Sequence, residues 1–307
     1  MKFSGLNDRI SEVFVGKREL VDQVLVCLLA GGHVLLEDVP GVGKTTLARL
    51  LAASVGCDLG RIQFTPDTLP SDVIGTVIYQ MNTGEFSYRE GAVMHQILLA
   101  DEINRTSPKT QASLLEAMAE EQVTVDGKAH PLPQPFMVIA TQNPVEYLGT
   151  YPLPEAQLDR FMMRLSVGYP DNDAEIRMAR NHLEGRMEEK LPAMLSAEDV
   201  LSAREEVKRL KVSDALLQYI RDIIELTRIE SSFVLGASPR AYLALVSASQ
   251  AKAYLEGRDF VKPDDVKAIA VPVLHHRLFL TSEAKIRGDK VDRLLEALIL
   301  KARIPME

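Results

Sequence analysis

The stretch Glu37-Asp-Val-Pro-Gly-Val-Gly-Lys-Thr-Thr46 decides how the chain is read. An apolar run over 33–37 that reads as a strand precedes it, and a helical pattern over 44–55 follows. A glycine-rich turn in that position lets backbone N–H groups converge on phosphate oxygens, and the helix N-terminus adds positive potential. Pro40, Gly41, Val42 and Gly43 would form the cradle, and Thr46 completes the segment. Lys44 would reach the β- and γ-phosphates, and Thr45 would offer its hydroxyl to Mg²⁺. The strict pattern has glycine where this chain has Asp38.

Outward from the loop, short apolar runs over 61–64, 96–101, 136–141 and 161–167 also read as strands. Their continuous apolar character predicts a sheet buried on both faces, and so a parallel one. A second helical stretch, 108–121, has Ser107 as its N-cap and Pro108 at its first position. Two hairpins interrupt this α/β alternation. One lies within 74–93 around Thr83-Gly84, the other within 122–135 around Asp126-Gly127. After residues 168–171 the periodicity turns helical with almost no strand signal. Ser196 with Asp199, Ser213, Ser238 with Pro239, and Pro263 mark helix starts. The predicted organisation is an α/β domain over 1–168 and an all-α domain over 173–307.

The run 97–100 ends in Asp101 and Glu102. At the carboxyl end of a strand the chain leaves the pleat, so both acids can face the crevice where ligands of α/β sheets bind. Asp101 would then stand near Mg²⁺, and Glu102 near the γ-phosphate as a carboxylate aligned with the attacking water.

The phosphate loop, Leu99-Ala-Asp-Glu-Ile-Asn-Arg105, Glu120-Glu-Gln-Val-Thr-Val-Asp126, Ala140-Thr-Gln-Asn-Pro144 and the run from Thr150 to Phe161 together resemble the MoxR family of AAA+ ATPases. The helical half, anchored by Gly236-Ala-Ser-Pro-Arg240, resembles the AAA+ lid. The resemblance implies ATP and Mg²⁺ as ligands and assigns further roles. Asn143 matches the sensor-1 amide at the γ-phosphate. Arg160 matches the arginine finger that reaches a neighbouring subunit's nucleotide, with Arg164 as the alternative. Val15 and Gly16 match the adenine pocket, and Gln63 the residue that holds the catalytic glutamate in many relatives. Arg240 has a reason of its own: a cation in the first turn of a helix is unfavourable unless an anion approaches. The resemblance supplies that anion, since sensor-2 arginines contact the γ-phosphate. It also implies a homo-oligomeric ring, taken as a hexamer. Chaperone-like action on protein clients such as von Willebrand factor A domain proteins follows from the same likeness. Both hairpins would face the ring pore.

Composition agrees with a folded ATPase and removes several classes. Of 307 residues, 46% are hydrophobic and 25% charged, which excludes overall disorder. The net charge of −8 and the few basic residues on the hairpins (Arg89, Lys128) disfavour a nucleic-acid motor. That motor and a magnesium-chelatase-type subunit are the rival readings. Two cysteines make no disulfide framework. No apolar stretch reaches membrane-spanning length, so the expectation is cytoplasmic. No His-Glu-x-x-His zinc pattern occurs. His275 and His276 are expected at solvent and core, and Tyr242, Leu243, Leu245 and Val246 in the lid core.

Overall fold

The computed structural model describes residues 3, 5–14, 18–39, 41–143, 149–169, 172–183 and 192–305. Two helices, α1 (Leu6–Val13) and α2 (Arg18–Leu29), lead into β1 (Val34–Glu37), α3 (Lys44–Ser54) and β2 (Leu59–Gln63). Then come α4 (Pro70–Ile74), the hairpin β3 (Thr76–Gln80) and β4 (Glu85–Arg89), β5 (Ile97–Asp101) and α5 (Pro108–Glu120). A second hairpin, β6 (Gln122–Val125) and β7 (Lys128–Pro131), precedes β8 (Met137–Gln142), α6 (Glu155–Leu158) and β9 (Met163–Leu165). The five core strands form one parallel sheet in the order β2-β5-β8-β1-β9.

The continuous apolar strands follow from burial on both faces. Alternate residues of a strand point to opposite faces. Val34, Leu36, Ile97, Leu99, Met137 and Ile139 join an apolar cluster with α2 and α3. Their neighbours Leu35, Leu98, Ala100, Val138 and Ala140 join another with Leu114, Leu115 and Met118 of α5. His33, at the amino end of β1, is wired between them: its Nδ1 accepts from Val138 N at 3.0 Å, and its Nε2 lies 3.2 Å from Met118 O. Burial pushes its pKa down to about 4, so the ring is neutral and Nε2 carries the hydrogen.

Beyond β9 and α7 (Asn172–Leu183) the chain is mostly helical: α8 (Ala197–Lys208), α9 (Asp214–Ile229), α10 (Pro239–Leu255), α11 (Pro263–Leu274), α12 (Ser282–Arg287) and α13 (Val291–Lys301). The expected caps are present. Ser107, Ser213 and Ser238 each accept from a first-turn N–H, and Ser196 and Asp199 form a reciprocal capping box. One departure is a short antiparallel ribbon, β10 (Phe233–Leu235) with β11 (Phe279–Leu280), too short to leave a periodic signal. Another is Leu243, expected in the core but 63% exposed. Helices α8, α9, α10, α11 and α13 join the same apolar cluster as α2, α3 and one face of the sheet.

The two inserted hairpins stand where expected. Tyr88 of β4 stacks on His130 of β7, ring centroids 3.9 Å apart, so the hairpins touch. Tyr79, Met81 and Phe86 at the outer part of the first are exposed.

Candidate functional site

At the carboxyl end of the sheet, β1 runs into the glycine-rich loop and α3 begins at Lys44. Gly41 and Gly43 have φ of 86° and 92°, the left-handed region that a side chain disfavours. Gly43 is the N-cap of α3 and brings no side-chain acceptor to its first-turn N–H groups, which suits an anion there. Lys44 Nζ donates to the Asp38 carbonyl at 2.9 Å. Burial pulls the Lys44 pKa down, while the negative charges of Asp101, Asp38 and Glu102 pull it back up. Asp38 therefore does not spoil the loop. Its carboxylate is bonded to residues 166–168.

Asp101 ends β5, and Glu102 follows in the left-handed region at φ 58° and ψ 50°. A non-glycine residue there is uncommon, and it is what turns two successive acids toward one crevice. Thr141 of β8 fastens this turn: its hydroxyl donates to Asp101 Oδ1 at 2.6 Å and accepts from Glu102 N at 2.8 Å. Gln63 of β2, in register with Asp101, donates to Glu102 Oε2 at 2.8 Å. Arg105 donates to the same oxygen at 2.9 Å. Arg61 bridges Asp101 Oδ2 at 2.9 Å and Gln63 Oε1 at 3.1 Å. Asn143, just past β8 and buried, has its carbonyl bonded by Asn104 Nδ2 at 3.3 Å.

Thus Lys44, Asp101, Glu102 and Gln63 come together at one end, with Asn143 just beyond the neighbouring strand β8. Arg61, Arg105 and Thr141 are additions that sequence reading missed. Arg61 stands two residues before Gln63, the period-2 signal that could have found it once strand order was known.

Arg160 and Arg240 lie elsewhere. Met162 N donates to His33 O, so the segment before β9 sits at the amino end of the sheet, away from the loop. There Asp159 is shared by the lid. Arg277 Nε donates to its Oδ1 at 2.6 Å, Arg240 is 3.7 Å from Oδ2, and Ser238 Oγ is 3.4 Å from the same oxygen. Arg277, nearly buried, also donates to the carbonyls of Asp159, Phe161, Met162 and Val273. Buried His276 Nε2 meets Phe161 O at 3.0 Å. Arg160 NH1 donates to Leu115 O of α5 at 2.7 Å. Arg164 forms an ion pair with Glu37, and burial lowers its pKa. His275 pairs with Asp292. Val15, Gly16 and Pro40 lie outside the described residues.

A resident Mg²⁺ needs little from protein here. Among the described residues no group of three or more His, Cys, Asp or Glu could hold a metal. The exposed Thr45 hydroxyl and Asp101 are a small oxygen set of the kind that would suit Mg²⁺, which binds through few protein groups.

Residues 33–163 match the model of the ATPase family associated with various cellular activities (AAA), and residues 225–298 match the AAA lid domain. YeaC of Bacillus subtilis, itself uncharacterised, is 49% identical over 98% of this chain and 94% of its own. The chaperone MoxR1 of Mycobacterium tuberculosis is 43% identical over 90% of this chain and 75% of its own. The crystal structure of a Cytophaga hutchinsonii protein assigned as an ATPase superposes with a TM-score of 0.93 at 40% identity, covering 99% of this chain and 95% of that one.

Proposed function

The chain belongs to the MoxR family of AAA+ ATPases, and on that premise we propose that it couples Mg²⁺-dependent ATP hydrolysis to chaperone-like remodelling of partner proteins. The observation that carries this reading is Glu102, turned by its left-handed backbone toward the crevice that holds Lys44 and Asp101. In the reaction, Lys44 and the loop N–H groups bind the β- and γ-phosphates. Glu102 accepts a proton from water as its oxygen attacks the γ-phosphorus. The bond to the β–γ bridging oxygen breaks, and ADP and phosphate leave. Thr45 and Asp101 would hold Mg²⁺, which supplies charge neutralisation at the phosphates. Asn143 would orient the γ-phosphate.

Arg160 and Arg240 would act on a neighbouring subunit's nucleotide, because both stand at the sheet end opposite their own Lys44. Arg164, held by Glu37, is the weaker finger. This reading calls for a ring of copies, taken as a hexamer, with residues 1–168 as catalytic domain and 173–307 as lid. Clients with von Willebrand factor A domains and a cytoplasmic setting follow the family likeness.

The test is nucleotide-dependent client capture. Glu102→Gln protein should retain a partner in ATP and release it in ADP. Equal retention in both nucleotides would defeat the chaperone reading.

A further inference from the structure

We infer that Asp38 is a positioning residue that ties the phosphate loop to the segment joining the α/β domain to the lid, so that what Lys44 binds is felt at that junction. The inference rests on Lys44 being a phosphate ligand. Three elements meet on this one residue. Its backbone N–H donates to Gln142 O at the end of β8, 3.2 Å away. Its carbonyl accepts from Lys44 Nζ at 2.9 Å. One carboxylate oxygen, Oδ2, accepts from Ser166 Oγ at 3.1 Å, Gly168 N at 3.0 Å and Val167 N.

Residues 166–168 are the last of the α/β domain before the lid. Hydrogen bonds to an ionised acceptor are the strong ones, and Asp38 and Val167 are both buried. A glycine, which the strict phosphate-loop pattern carries here, could make none of the carboxylate contacts. Its loop would grip phosphate equally well and leave the Val167 amide without its partner. Lys44 divides its donors between the Asp38 carbonyl and any phosphate it binds. Occupancy of the loop therefore bears on the backbone whose side chain holds 166–168.

The experiment uses the full chain with Asp38→Gly, which restores the strict pattern, and Asp38→Asn, which keeps the shape and one acceptor oxygen. Nucleotide affinity, kcat and KM are measured. Amide exchange at Val167 and Gly168 is followed in ADP and in a non-hydrolysable ATP analogue. Asp38→Gly should bind nucleotide nearly as wild type does. Its kcat should fall on the order of 10-fold, equivalent to about 1.4 kcal/mol in the barrier. Its two amides should exchange fast and alike in both nucleotides, whereas wild type should distinguish them. Asp38→Asn should fall between, and carries the same readouts if the glycine variant does not fold. Wild-type kcat despite fast exchange would overturn the inference, as would unchanged exchange. Loss of nucleotide affinity in both variants would overturn it too, by placing Asp38 in the cradle itself. Lys44→Ala keeps the premise separate: normal nucleotide binding in that variant would remove the phosphate-loop reading, whatever Asp38 does.

Discussion

The two ends of the five-stranded sheet are built on opposite principles. The carboxyl end sets one lysine near Asp101 and Glu102, both partly open to solvent, and the buried Asp38. The amino end sets two arginines, Arg240 and Arg277, on one carboxylate, Asp159, with Arg160 next in sequence. The first arrangement suits a bound polyphosphate with a water-activating base. The second leaves positive charge over, at an edge the chain's own loop does not reach. On the proposed reading, a single copy carries Lys44 and Glu102 at one end of the sheet and Arg160 and Arg240 at the other, and a neighbour in a ring is the proposed way to bring them to one nucleotide.

The sharpest break of this contrast is Arg160→Ala. An arginine finger in trans is worth about 10³–10⁵ in rate. The variant should bind ATP and lose turnover on that scale. Mixed with Lys44→Ala protein, itself inactive, it should recover part of the activity, measured by steady-state phosphate release. Mixed rings without recovery would return Arg160 to its bond with Leu115 as a structural residue. At the other end, Glu102→Gln should lower turnover by about 10²–10⁴-fold with ATP affinity kept, read by calorimetry beside the rate.

Acid should act first on the amino end. His33 and His276 are both held neutral by burial, His33 at about 4 and His276 well below its ordinary value. An unfolded chain binds protons on both near pH 6.5, and the folded chain does not. Stability is therefore intact above that pH and falls as pH drops toward 4, by about 1.4 kcal/mol per pH unit for each histidine. Urea midpoints across this range should show the slope, and His33→Gln, which can still accept and donate, should flatten it. The smallest effect is expected at Gln63→Ala. It removes one of two donors on Glu102 Oε2 and should raise turnover roughly 2- to 10-fold, the worth of one net hydrogen bond. A large loss instead would make Gln63 a part of the chemistry.

Sequence legibility divides along the same line. The carboxyl end was readable because its groups sit on fixed offsets from a strand or helix: Lys44 opens α3, and Asp101 closes an apolar run. Arg61 was hidden because its contact with Asp101 exists only once β2 and β5 are neighbours. The amino end was readable only in part. Arg240 drew attention by its unfavourable place at a helix start, but its partner Asp159 lies 81 positions away by numbering, in another domain. Arg277, which no sequence signal singles out, is the residue that clamps the segment carrying Arg160. Asp38 looked like a blemish in a motif until its three donors came into view.

The apolar cluster shared by sheet, α2 and lid sets how such a machine can move. A door swings on a seam that opens without wetting oil, and among the described residues the inner side of this lid packs into the shared apolar cluster. Swinging it away would expose the apolar surface where α10 meets α2, at about 25 cal/mol for each Å². Sliding keeps the contact dry, since helices can shear past one another with small side-chain adjustments. The stroke expected of this chain is therefore short and lateral, with α10 travelling along α2 like a bolt in its track.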